Sequence, residues 1–177
     1  MKTIRNILVG AASATSLFAL ATSASAANAS ATTDAKIIQP ITITKNVDMN
    51  FGTLIRPATS GTVTLSTAGV VSGVTTVTGG TNAAPAAAKF TVNGEGGQAY
   101  SISETVSALS NGTTDLALTL TKAAGESGTL VGNVGTLGGN LGSAGAGELL
   151  YGASFPITAT TATGAYTGTL QVTVNYQ

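Results

Sequence analysis

The sequence has no cysteine, no histidine and no tryptophan, and only 8% of its residues are charged. Each absence removes a class of chemistry. Without cysteine the fold must hold by burial and strand pairing, with no disulfide staple. Without histidine or cysteine, zinc has no usual ligands, and the familiar Ser–His or Cys–His nucleophile pairs cannot be built. Any general base would have to be a lysine or a carboxylate. The lysines Lys36, Lys45, Lys89 and Lys122 fall on polar parities or at segment ends, where a solvated surface role is expected. The carboxylates Asp48, Glu95, Glu104, Asp115, Glu126 and Glu148 show no recognisable paired spacing and no cluster of the kind calcium requires. Most are expected to face solvent. No catalytic residue, metal site or cofactor is expected, calcium through scattered carboxylates and carbonyls staying open, and the chain is read as not an enzyme.

Long apolar runs are also missing. The only candidate is the start, "MKTIRNILVGAASATSLFALATSASA". Lys2 and Arg5 precede an apolar stretch from Ile7 to Ala21, and Ala24-Ser25-Ala26 offers small residues for cleavage. This is the pattern of a secretory signal peptide spanning residues 1–26, too short and too diluted by Ser and Thr for a comfortable membrane anchor. Export to the periplasm, cell surface or exterior is expected, with no stable membrane span in the mature chain. The remaining Lys36, Lys45, Arg56, Lys89 and Lys122 are scattered among seven acidic residues. No basic stripe is present, so nucleic acid is not an expected partner.

What is abundant is Gly, Ala, Thr, Ser and Val, with an alternation of two that marks half-buried strands. Residues 27–35, "ANASATTDA", read as a small, polar, flexible mature N-terminus. In "KIIQPITITKNVDMNFGTLI", Ile37, Ile41, Ile43, Val47, Met49, Phe51 and Ile55 share one parity. Pro40 places the start of this strand at an edge or at a change of partner. Further runs centre on Val63 and Leu65, Phe90 and Val92, Tyr100 and Ile102, Leu116 to Leu120, and Tyr151 to Ile157, with a weaker one in residues 70–78. The last is "GTLQVTVNYQ", in which Leu170, Val172, Val174 and Tyr176 alternate with polar residues. "NGEGGQA" (93–99) lacks the Lys and helix of a phosphate loop and reads as a turn between strands. The glycine-rich stretch 123–147 contains a weak repeat, Gly128 to Asn133 and Gly135 to Asn140, and is expected to be a long flexible loop. About eight short strands with no helix predict an all-β antiparallel sandwich, one domain over 36–177.

Two stretches carry a family likeness: "ITITKNVDMNFGTLI", with Asn50-Phe51-Gly52, and "GAYTGTLQVTVNYQ", with Gly164, Tyr166 and the closing alternation. Together they resemble a family of secreted domains of Gram-negative bacteria that is similar to spore-coat-U type proteins and to subunits of archaic chaperone–usher pili. The resemblance implies an immunoglobulin-like sandwich and a pilus-like or surface-coat subunit assembled by β-strand addition. It also implies a periplasmic chaperone and neighbouring identical or related subunits as partners. Leu170, Val172, Val174 and Tyr176 would face the core and edge a groove, while Gly164 and Tyr166 would set the turn before them. Ile37, Ile41 and Ile43 would belong either to a donor strand or to the sandwich's own first strand, the second being favoured. The alternative function is a self-contained secreted binding module for a glycan or surface protein, with Tyr100 or Tyr151 as the aromatic contact.

Overall fold

The computed structural model describes residues 27–177; the expected signal peptide lies outside the described residues. Residues 27–35 are exposed and carry no regular structure. Lys36–Gln177 form a compact unit, all-β among the described residues and built as an antiparallel β-sandwich. Its strands are β1 (Thr42–Val47), β2 (Thr53–Leu54), β3 (Gly61–Leu65), β4 (Val71–Ser72), β5 (Thr76–Val77), β6 (Ala88–Glu95) and β7 (Ala99–Val106). They continue as β8 (Leu109–Ser110), β9 (Asp115–Leu116), β10 (Thr119–Ala124), β11 (Thr129–Val131), β12 (Val134–Thr136), β13 (Ala144–Ile157) and β14 (Leu170–Tyr176).

The first sheet is organised by β13, which is 14 residues long. Leu149–Tyr151 pair with both β6 and β10, and Ala153 and Ser154 pair with both β3 and β10. A strand has two edges, so β6 and β3 must lie end to end along one of them, with β10 on the other. Pro156 falls beyond the last residue paired to β10, where its missing N–H disturbs no ladder on that side. β1 lies outside β6 and β4 outside β3. The second sheet has the order β11-β12-β7-β14.

Strand parity builds the core. Phe90, Val92, Leu149 and Tyr151 from the first sheet meet Tyr100, Ile102, Leu137 and Val174 from the second, all nearly inaccessible to solvent. A second cluster gathers Phe51, Val63, Leu65, Leu116, Ala153, Phe155 and Ile157. The edge-on pairs Phe51–Phe155 (5.0 Å) and Phe90–Tyr151 (5.8 Å) take the geometry that ring quadrupoles favour.

Two expectations need correction. The stretch 123–147 is no flexible loop: it contains the end of β10, the β11–β12 hairpin and the start of β13. Its glycines serve close approach. A Cβ on Gly135 would enter the Tyr100 ring, and one on Gly125 would strike the Glu148 carboxylate. The stretch read as a turn between strands does turn at 96–98, and it carries the chain from β6 in one sheet to β7 in the other. Finally, Glu95 is buried (4% exposed), and Glu104 and Lys122 share the inward parities of Ile102 and Leu120. Each of these charged groups is tolerated inside because it is hydrogen-bonded.

Candidate interaction groove between the first and last strands

Residues Leu170 to Tyr176 pair with β7 in unbroken register, from Leu170↔Val106 to Tyr176↔Tyr100. Tyr100 and Ser101 pair with β12 on their other side, so β14 is the outermost strand of its sheet. Its outer edge has no ladder partner among the described residues. β1 is likewise outermost in the first sheet, held by β6 alone, with a register shift between Lys45 and Val47. The two free edges lie beside each other across the sandwich.

The apolar side chains along this seam face inward. Val174 is buried, and Leu170, Val172 and Tyr176 pack partly buried against the first core cluster. Gln171, Thr173 and Asn175 are exposed. Ile41 and Ile43 also pack against that cluster, Ile43 from within β1 itself. Ile37 is 95% exposed and touches no core. The segment 42–47 is therefore a strand of this sandwich, and the apolar residue left over is Ile37.

One end of the seam is tied shut. The Tyr176 hydroxyl donates to the Gln39 carbonyl (2.8 Å) and accepts the Glu95 backbone N–H (2.6 Å). The Glu95 carboxylate accepts the Gln39 N–H at 3.3 Å through one oxygen and the Gly142 N–H through the other. The penultimate residue thus joins both sheets to the segment entering β1.

Away from that tie the seam opens. A cavity of about 230 Å³ lies between Lys45, Val47 and Met49 on one side and Gly168 and Leu170 on the other, over Phe90. Sharing Met49 and Gly168 with it, a larger cavity of about 610 Å³ runs over Phe51, Leu116, Phe155 and Ile157. Four buried members of the second core cluster, Phe51, Leu116, Phe155 and Ile157, therefore form the floor of this groove. Its outer wall is the segment 161–168, where the Tyr166 hydroxyl donates to the Ala162 carbonyl (2.9 Å) and Tyr166 packs on the second cluster. Gly164 has φ 143°, a conformation suited to glycine. The chain then pairs Thr167 with Ser110 before β14 begins.

Charge is sparse here. Arg56 is the one ionised side chain lining the larger cavity, and its guanidinium donates to the Thr161 carbonyl at 3.3 Å. In the smaller one Lys45 and Asp48 pair with each other at 2.5 Å. Such lining suits apolar side chains carried on an extended backbone. Tyr100 and Tyr151, the aromatics considered for a sugar site, are 1% and 0% exposed and offer no open ring face. Among the described residues no group of three or more acidic, His or Cys side chains is placed to hold a metal. The sequence alternation pointed to the inward faces of β1 and β14. It carried no signal that residues 49–56 and 161–168 would line one cavity over the second core cluster.

A family model described as a domain of unknown function, DUF4402, matches residues 41–176. No curated protein and no solved structure matches the chain.

Proposed function

We propose that this chain, which belongs to the DUF4402 family, is a non-catalytic structural subunit that assembles by strand addition, the arm of one copy filling the groove of the next. The observation that carries this is the coincidence of two strand edges, unpaired among the described residues, with a cavity floored by an apolar cluster. An unpaired edge presents free N–H and C=O groups, and a cavity with an apolar floor offers room for apolar side chains. An added strand with alternating side chains satisfies both at once.

The occupant is residues 27–38 of a second copy. Ala27, Ala29, Ala31, Thr33, Ala35 and Ile37 share one parity, with Asn28, Ser30, Thr32, Asp34 and Lys36 on the other. All these residues are exposed. At about 3.3 Å per residue, an extended arm of that length reaches roughly 36–40 Å, longer than β14. The small inward residues suit a narrow groove, and Ile37 brings the one large apolar group on that parity, Ile38 falling on the other. Export by the N-terminal segment would deliver such subunits to the periplasm or cell surface, where a chaperone would guard the open edge before assembly.

Light scattering on the mature chain tests this. Concentration-dependent multimers are expected, reduced to monomer by Ala31→Lys with Ile37→Lys in the arm and inhibited by excess peptide 27–38. A chain that stays monomeric at high concentration and ignores the peptide would overturn strand addition. It would leave the self-contained binding module, with Arg56 at the mouth of its apolar cavity as the polar contact.

A further inference from the structure

Away from the groove, three side chains converge between the two sheets. Lys122 on β10 contacts the Glu104 carboxylate on β7 and donates to Asn133 Oδ1 at 2.7 Å, in the turn between β11 and β12. The side chains of Lys122 and Glu104 are 20% and 13% exposed. Tyr151, the cross-strand partner of Lys122 and wholly buried, donates its hydroxyl to the same Glu104 oxygen at 3.1 Å. Burial first, and the Glu104 charge second, push the Tyr151 phenol far up, so it remains a proton donor to that carboxylate.

Asn133 is anchored to β7 through Ile102. Its Nδ2 donates to the Ile102 carbonyl at 3.3 Å, and its own carbonyl accepts the Ile102 N–H at 2.9 Å. Lysine only donates, so the amide oxygen must be the atom that meets Nζ. An amine within reach of both a primary amide and a carboxylate supplies the parts of an acyl transfer: nucleophile, electrophile and proton carrier. Holding them together on strands of a rigid sandwich supplies the orientation that such a slow reaction needs.

We propose that Lys122 and Asn133 join in an intramolecular amide bond, with Glu104 carrying the protons. The Lys122 ammonium gives one proton to Glu104, and the freed amine attacks Asn133 Cγ. The Nζ–Cγ bond forms while the carboxyl proton stabilises the oxygen of the tetrahedral intermediate. The Cγ–Nδ2 bond then breaks, Nδ2 leaving as ammonia with protons relayed from Nζ through Glu104. The balance is one ammonium plus one primary amide giving one secondary amide plus one ammonium ion, with Glu104 regenerated as carboxylate. No oxidant, reductant or cofactor enters. Asn133 is exposed on its outer side, which gives the ammonia an exit, while Lys122 and Glu104 sit on the sheltered side. The bond ties β10 in one sheet to the β11–β12 hairpin in the other, in a chain with no cysteine to do so.

The chain's own glutamates make the test direct. Cleavage of the denatured full chain after Glu104, Glu126 and Glu148 separates Lys122, in peptide 105–126, from Asn133, in peptide 127–148. The expected result is one species with two N-termini and the summed mass of both peptides less one ammonia. Asn133→Ala, which keeps the Glu104–Lys122 contact, should release two free peptides, and Glu104→Gln should do the same. Two free peptides of full mass from the unaltered chain would overturn the proposal. A link that survives Glu104→Gln would remove Glu104 as proton carrier.

Discussion

Tyr176 is an ordinary residue type in an extraordinary position: one hydroxyl accepts from Glu95 in one sheet, donates to Gln39 before β1, and belongs to a strand of the other. Tyr176→Phe removes that hydroxyl and leaves the Glu95 N–H without its partner. An unpaired backbone group of this kind costs about 1–3 kcal/mol, and urea unfolding of the variant should show a loss in that range with an unchanged slope. Gly135→Ala should also destabilise, because the added methyl enters the Tyr100 ring and overpacking of a core costs roughly 1–3 kcal/mol. At Glu148 the hydrogen bond from Lys89 holds the carboxyl below its ordinary value of 4.5. A lowered folded-state value means the stabilisation is complete above that ordinary value and is lost as pH falls through the lowered one. Thermal unfolding followed down from neutral pH should fall less steeply for Glu148→Gln than for the unaltered chain in that acid window.

Strand β14 offers a test of element against position. Val174 is buried, whereas its neighbour Thr173 is exposed on the opposite face. Val174→Asp places a charge in the first core cluster and should cost several kcal/mol or abolish folding. Thr173→Asp should stay within about 0.5 kcal/mol. Circular dichroism and urea midpoints on the pair would show whether the parity seen in the sequence is the parity of the fold. The same alternation made β6, β7 and β13 legible, since period two puts every second side chain in the core. In the glycine-rich stretch that signal vanished. Gly135 and Gly147 occupy places where Tyr100 and Leu137 fill the space a side chain would take, so β12 and the start of β13 carry little hydrophobic alternation. Composition there resembles a loop although the backbone is a sheet.

The whole domain is a sandwich whose β1–β14 seam is tied at one end by Tyr176 and carries a cavity at the other. Strand addition predicts that peptide 27–38 raises the melting temperature of the arm-substituted chain. At a hundredfold excess over its dissociation constant the gain is about 2.7 kcal/mol, readable by differential scanning fluorimetry. That gain should persist in Asn133→Ala, because the Lys122 cluster lies away from the groove. Loss of the peptide effect in a chain with Leu170→Lys would locate binding on the seam.

Local pattern alone was enough for an all-β sandwich with inward faces Ile41, Ile43, Leu170, Val172, Val174 and Tyr176. Side-chain direction along a strand depends only on the two-residue repeat, so neighbours in sequence carry it. Which strands pair, and which edges go unpaired, depends on contacts between residues far apart. β6 and β3 share one edge of β13, the turn after Glu95 changes sheets, and residues 49–56 and 161–168 line one cavity over the second core cluster. None of these leaves a periodic trace. The Glu104–Lys122–Asn133 cluster is of the same kind: three polar residues on three separate segments, brought together only once the two sheets face each other.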